Sequence, residues 1–179
     1  LQNAKNQNPL TGLPGNSEIE NRLSSCLKCG NNYTVMYIDI DNFKAYNDVY
    51  GFEQGDKVIV SAAKILKNLS YDNIFIGHIG GDDFVVIGNF NNPEEICRHI
   101  INSFEALNCK FYNENDFQNK FIISKNRKGE IEKFPLLSLS VSGIKNISEK
   151  YNDIYELSES LAKLKKTLKQ SGGNDFLLI

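Results

Sequence analysis

The sequence predicts an α/β sandwich built on a mixed, largely antiparallel sheet, and three observations lead there. Short apolar, β-branched runs alternate with longer segments of helical periodicity. The alternation lacks strict βαβ regularity, and two pairs of runs are joined by turn-forming residues, which makes them hairpins. At 179 residues with 41% hydrophobic content, the chain is sized for one domain and has enough apolar side chains for a core.

Each element has its own local reason. After Pro14-Gly15, Asn16 or Ser17 is placed to cap a helix whose positions Ile19, Leu23, Cys26 and Leu27 share one face up to Gly30. Residues 33–40 (YTVMYIDI) read as a buried strand ending in acid. In residues 54–69, Val58, Ile59, Ala62, Ile65, Leu66 and Leu69 fall on one helical face. Residues 74–79 and 84–87 are short strands flanking Gly80-Gly81-Asp82-Asp83, a tight turn that glycine permits. Pro93 opens a helix carrying Ile96, Ile100, Ile101, Phe104 and Leu107 on its apolar face. Residues 120–124 and 130–139 flank Asn126-Arg127-Lys128-Gly129 and predict a second hairpin, before the strand through Val141. A helix over 154–169 is stopped by Ser171-Gly172-Gly173, and residues 176–179 form a last short strand.

Composition excludes several functions. Lys and Arg total 20 against 22 Asp and Glu, a net charge of −2, so the basic surplus that grips a nucleic-acid polymer is missing. A small anionic ligand needs only a few amides and one or two lysines. No apolar run approaches the ~20 residues of a membrane-spanning helix, and the opening Leu1-Gln2-Asn3-Ala4-Lys5 lacks a signal-peptide pattern. These features point to the cytoplasm. The polar start without an initiator Met is expected of a piece of a longer chain, with residues 1–7 as a linker from an upstream region. Cys26 and Cys29 have C-x-x-C spacing, but no second pair follows, and neither His78 nor His99 completes a ligand spacing. Together with Cys97 and Cys109 they read as free thiols.

The chemistry concentrates in acids at strand ends. Asp39 and Asp41 close one strand, while Asp82 and Asp83 sit in the hairpin between two others. If those strands are neighbours, the carboxylates converge at one sheet rim, where their repulsion calls for a divalent cation. All-oxygen ligation favours Mg²⁺ or Mn²⁺ over zinc. Asp41 and Asp48 are read evenly between Asx-turn or capping roles and function. For the Gly-Gly-Asp-Asp turn function ranks first, since shape alone needs no paired acids. Asp41-Asn42-Phe43-Lys44, between strand and helix, offers backbone amides and an ammonium suited to a triphosphate.

With these residues assembled, the chain resembles the GGDEF family of diguanylate cyclases, bacterial enzymes that condense two GTP into cyclic di-GMP. The likeness runs from Asn8-Pro9-Leu10-Thr11-Gly12-Leu13-Pro14 through Asp39-Ile40-Asp41-Asn42-Phe43-Lys44, Asn47-Asp48, Gly51 and Gly55-Asp56. It continues in the signature Gly80-Gly81-Asp82-Asp83-Phe84 and in Lys169 with Ser171-Gly172. The resemblance implies a nucleotidyl-cyclase, palm-like domain over residues 8–179, with a five-stranded sheet and the second hairpin as an addition. It implies Mg²⁺ or Mn²⁺ on Asp39, Asp82 and the Ile40 carbonyl, with Asp83 in the fourth signature position. Asn42, Phe43 and Lys44 would cradle phosphates, reached also by Lys169, and Asn47 and Asp56 would read the guanine edge. Two domains, each holding one GTP, would face each other as a homodimer, and an upstream sensor or receiver domain would supply the input.

The chain departs from the family pattern in several places. Asp83 replaces Glu, and Gly173 stands where the family carries Arg. The last helix lacks the family's Ala-Asp pair, and Tyr71 and Ile74 occupy the places of the R-x-x-D product site, so product feedback by that route is expected to be absent. Lys163, Lys165 and Lys166 read as a solvated helix face with some capacity to compensate. Asp83 and Gly173 support a second reading, a catalytically weak or inactive GTP-binding regulatory domain. A third, a polymerase palm or class III cyclase, is opposed by Asn47, Asp56 and the Leu10-Thr11-Gly12-Leu13 entry. Residues 110–134 form a long connection whose default role is a packing or partner surface.

Overall fold

The computed structural model describes residues 6–126 and 128–179. Residues 1–5, which carry most of the expected linker, and Arg127, in the expected second turn, lie outside the described residues. Asn6 and Gln7 are tied to the domain: the Gly15 amide donates to the Asn6 carbonyl at 2.7 Å, and Gln7 bridges Pro14.

The helices and strands alternate as α1 (Asn16–Lys28), β1 (Thr34–Asp41), α2 (Phe43–Tyr50), α3 (Phe52–Lys67), β2 (Phe75–Gly80), β3 (Asp83–Gly88) and α4 (Pro93–Glu105). There follow α5 (Asn108–Phe111), α6 (Glu114–Asn119), β4 (Phe121–Lys125), β5 (Ile131–Pro135), β6 (Ser138–Ile144), α7 (Ile147–Lys150), α8 (Ile154–Gln170) and β7 (Phe176–Leu178). The main sheet has the order β2-β3-β1-β6-β7, antiparallel except for the parallel β6–β7 pair, while β4 and β5 form a separate two-stranded hairpin.

β1 takes the centre because it is apolar on both faces, and strand alternation then sorts its side chains. Met36, Ile38 and Ile40, with Phe84 and Val86 of β3, meet Val58, Ala62 and Leu66 of α3 and Ile96, Ile100 and Phe104 of α4. Val35 and Val85 go to the other face, with Ile87, against Ile19 and Leu23 of α1 and Leu157 and Leu161 of α8. Those two rows continue, through Tyr37 in β1, to Asp39 and Asp83, and the register sets the two acids opposite each other.

Differences from the sequence reading are local. Gly15, not Asn16 or Ser17, is the N-cap of α1, and it makes no side-chain cap. The stretch 130–139 is two strands, since β5 ends at Pro135 and β6 begins at Ser138. The 110–134 connection contains α6 as well as the hairpin, and it packs on α2. The Tyr46 hydroxyl donates to the Phe111 carbonyl at 2.7 Å, Tyr50 donates to the Asp116 carboxylate, and Tyr46 stacks on Tyr50 while Tyr112 meets both edge-on.

Phe104 is fully buried while Phe52 is 78% exposed. Phe104→Ala is therefore expected to cost ~3–5 kcal/mol of unfolding free energy, and Phe52→Ala within about 0.5 kcal/mol. Urea denaturation of the two variants measures both.

Candidate active site

Two facing carboxylates and two lysines form the floor of the site. Asp39 and Asp83 are cross-strand partners, an arrangement in which like charges repel. Lys165 Nζ lies 2.7 Å from Asp39 Oδ1 and 2.5 Å from Asp83 Oδ1, and Lys169 Nζ lies 2.7 Å from Asp39 Oδ2. The Asp39 side chain is only 5% exposed. Burial works to raise its pKa, but the ammonium groups of Lys165 and then Lys169 beside it outweigh that and hold it below the ordinary value. Asp83 goes the other way, its carboxyl pushed up to about 6 by burial and by Asp39, against the pull of Lys165.

The turn above the floor is shaped by glycine. Gly80 and Gly81 take φ values of 144° and 57°, a region costly for residues with a Cβ, and this lets a two-residue loop, Gly81-Asp82, join β2 to β3. The Ile40 amide donates to the Asp82 carbonyl at 3.3 Å, which fastens the turn to β1. Asp82 has its carboxyl raised by burial and by the charge of Asp39. His78 braces the turn from behind. Its Nε2 lies 2.9 Å from the Gly81 carbonyl, which only accepts, so Nε2 carries the proton and Nδ1 accepts from the Thr11 hydroxyl at 3.0 Å. Burial lowers the His78 pKa, in keeping with a neutral ring.

A cavity of about 280 Å³ opens beside the floor, lined by Ile40, Asn42, Phe43, Lys44, Ala45, Asp82, Lys125, Asn126, Phe134 and Lys169. Asn42 turns the chain from β1 into α2 with a left-handed φ of 63°, which Asn tolerates better than most residues. No side chain caps α2 there, so its first amides border the cavity unpaired, as an anion site requires. Lys44, 70% exposed, pairs with Asp48 at 3.4 Å.

Six of the ten expected site residues thus line one cavity, and Asp39 and Asp83 join them through Lys169 and Lys165. Asn47 and Asp56 do not line it. They stand on the α2–α3 corner, where the Asn47 side chain lies against Gly55, so closely that a Cβ at Gly55 would fall 1.9 Å from Asn47 Oδ1. That oxygen is buried and has no hydrogen-bond partner. Phe43 touches both places, since its ring also borders Gly55.

Asp41 proves to be structural. It accepts from the Ser138 and Ser140 hydroxyls at 2.8–2.9 Å and from the Asn174 amide at 3.0 Å, joining β1 to β6 and the last turn. A Cβ at Gly173 would come within 2.8 Å of that carboxylate, so the loss of the family's Arg accompanies a close approach by Asp41.

The oxygen-only donor set suits a hard divalent cation, and Asp39 Oδ2 is buried without a properly aligned hydrogen bond although Lys169 stands beside it. Among the described residues no group of three or more His, Cys, Asp or Glu forms a closed metal cage. Magnesium does not need one, because it is usually held by one or two carboxylates together with substrate phosphates.

The sequence model described as "Diguanylate cyclase, GGDEF domain" matches residues 5–124. The chain belongs to the GGDEF family. DgcZ of Escherichia coli K12, a diguanylate cyclase by name, is 36% identical over 95 residues, which are 52% of this chain and 32% of that protein. The matched stretch therefore spans about a third of that relative. The GGDEF domain of DgcB from Caulobacter crescentus, solved with c-di-GMP, has a TM-score of 0.71 at 17% identity, covering 97% of this chain and 93% of that one. The GGDEF-only form of TpbB from Pseudomonas aeruginosa PAO1 gives 0.70 at 21%, covering 96% and 93%. Both show a shared fold.

In this GGDEF domain the sequence reading missed Lys165, Lys125 and Asn126. Lys165 reads from the sequence as part of a solvated face, yet it continues the buried stripe Leu157, Leu161 at i+4 spacing, and Lys169 follows at the next. That stripe turns from apolar to basic where the β1 and β3 rows turn acidic, a signal present in the sequence. Lys125 and Asn126 come from the added hairpin, and nothing local in the sequence tells that it folds over the cavity.

Folding raises the Asp83 pKa from 3.8 to about 6, so the folded protein holds a proton that the unfolded chain has released. The associated stability is fully present below about pH 4 and is lost as pH climbs through about 6. Asp83→Asn stays neutral throughout. Denaturation midpoints measured from pH 4 to 6.5 are expected to fall for the natural protein relative to this variant; a constant difference would contradict the assignment.

Proposed function

We propose that this GGDEF domain is a diguanylate cyclase, condensing two GTP into cyclic di-GMP with release of two pyrophosphates. The observation that carries the reading is the cavity in which the uncapped start of α2, Lys44 and Lys169 face the Asp82 carboxylate beside buried Asp39. An anion-binding wall next to an acid cluster suits a triphosphate carried with a divalent cation. At about 280 Å³ the cavity falls just under the roughly 300–1,000 Å³ of sites that enclose a whole small molecule. It houses the triphosphate end, and the base lies outward toward Asn47 and Asp56.

Each residue then has a task. The α2 amides and Lys44 hold the outer phosphates, and Lys169 approaches them from α8. Asp39, Asp82 and the Ile40 carbonyl hold Mg²⁺ or Mn²⁺, which when bound polarises the α-phosphate and neutralises the departing pyrophosphate. The 3′-oxygen of one GTP forms a bond to the α-phosphorus of the other as the bond to pyrophosphate breaks. Asp83, whose pKa lies near 6, is placed to take the 3′-hydroxyl proton. Asn47 and Asp56 read guanine, because a carboxylate accepts from both N1–H and the 2-amino group. One cavity holds one GTP, so two copies must face each other, and orienting the pair supplies much of the acceleration. A sensor or receiver domain upstream and a cytoplasmic setting complete the proposal. Among the described residues no helix is long and apolar enough to cross a membrane.

Incubation with GTP and Mg²⁺, followed by chromatography, is expected to yield cyclic di-GMP and pyrophosphate, and Asp82→Ala to lower that turnover by about 10²-fold or more. GTP bound tightly without product would point instead to a regulatory nucleotide-binding domain, and full activity of the variant would remove Asp82 from the mechanism. Asp56→Ala is expected to narrow the preference for GTP over ATP in a binding competition; an unchanged ratio would exclude Asp56 from base recognition.

A further inference from the structure

We propose that Lys165 is a built-in counter-cation, whose ammonium lies between Asp39 and Asp83 and must withdraw when a divalent cation enters with its nucleotide. The inference rests on the reading of the site as a cation-dependent nucleotide site, and adds to it a competitor carried by the chain itself.

Geometry makes the case. Lys165 Nζ contacts Asp39 Oδ1 and Asp83 Oδ1 at 2.7 and 2.5 Å, within ion-pair distance of both strands at once. With Lys169 Nζ 2.7 Å from Asp39 Oδ2, each oxygen of the most buried acid already has an ammonium beside it. A divalent ion bound to Asp39 must share or take those oxygens. Charge gives the same answer. Three carboxylates, Asp39, Asp82 and Asp83, face two ammonium groups, which leaves one negative charge. A divalent ion on the Asp39 oxygen that Lys165 already contacts would stand beside that ammonium as a like charge, and withdrawal of Lys165 removes the repulsion.

Withdrawal is sterically open. Lys165 is 28% exposed and also borders a shallow surface depression with Ala162, Lys166 and Lys169, so rotation of its four-carbon stem carries the ammonium to water. Lys169 differs because it borders the cavity as well, where nucleotide phosphates offer it new partners. Lys165 therefore sets how much divalent cation is needed to load the site, and it keeps the acid pair compatible with folding until then.

The test is a titration of Mn²⁺ into protein saturated with a non-hydrolysable GTP analogue, with free Mn²⁺ followed by electron paramagnetic resonance. Lys165→Met keeps the stem and removes the charge, and is expected to tighten Mn²⁺ binding by about tenfold or more. Lys163→Met, which removes an equal charge from the solvated side of α8, should leave it unchanged. A purely structural lysine would give the opposite sign, since its loss would loosen the site. Equal or weaker affinity in Lys165→Met overturns the proposal. If neither natural protein nor variants bind Mn²⁺ with the analogue, the nucleotide-site reading itself fails. Should Lys165→Met not fold, the unmutated protein decides: the Lys165 ammonium ¹⁵N resonance, assigned with Lys165→Arg, is expected in the metal-free state and should vanish on saturation with Mg²⁺ and analogue. Its persistence overturns the proposal.

Discussion

A lysine held between two carboxylates from neighbouring strands is the interaction on which the rest of the molecule depends. Asp39 and Asp83 face each other because the β1–β3 register that buries Val35, Val85 and Ile87 leaves them no other place. Side by side in a partly dry site they would repel. Lys165 and Lys169, one helical turn apart on α8, resolve that conflict, and in doing so fix how α8 sits on the sheet. The same helix contributes Leu157 and Leu161 to the core below. Hydrophobic docking and charge neutralisation are thus two ends of one contact, and an error in either register would cost both.

Everything else about the site follows from bringing backbone close to that acid floor. Two glycines make a turn short enough to suspend Asp82 over β1, and a neutral histidine ties the turn to the entry loop through Thr11. Asn42, in a left-handed conformation, turns the chain so that α2 begins at the cavity with its amides free. The additional hairpin closes the outer wall with Lys125 and Asn126, held there by the tyrosine cluster between α2 and residues 111–116. A positive wall thus reaches the cavity from α2, α8 and the hairpin, although Gly173 supplies none of it.

Much of this was legible in the sequence. Period-two and period-3.6 patterns located every strand of the main sheet and the four long helices α1, α3, α4 and α8, because those elements bury one or both faces. The acids at positions 39, 82 and 83 announced themselves as charges where apolar strands run out. What escaped was what depends on distant packing. Helix α2 is only eight residues long, too short for a helical period to stand out; α6 and the placement of the hairpin depend on hydrogen bonds from Tyr50 and Tyr46 across more than 60 residues. Lys165 is hard to read for a related reason: a lysine on a helix is normally solvated, and the i+4 stripe it continues gains its meaning once the strand register sets Asp39 and Asp83 beneath it. The role of Asp41 likewise depends on distant partners, Ser138, Ser140 and Asn174, which the sequence does not place beside it.

The proposed function rests on one spatial arrangement: a nucleotide's triphosphate against the start of α2, with its divalent ion on the acids of β1 and the glycine turn. A crystal structure of the domain with Mn²⁺ and a non-hydrolysable GTP analogue, with manganese located by anomalous scattering, tests it most directly. Manganese is expected on Asp39 and Asp82, phosphates beside Lys44, and the Lys165 ammonium moved out from between Asp39 and Asp83. Manganese or phosphates bound away from that cavity, or an unmoved Lys165 with manganese in place, would contradict it.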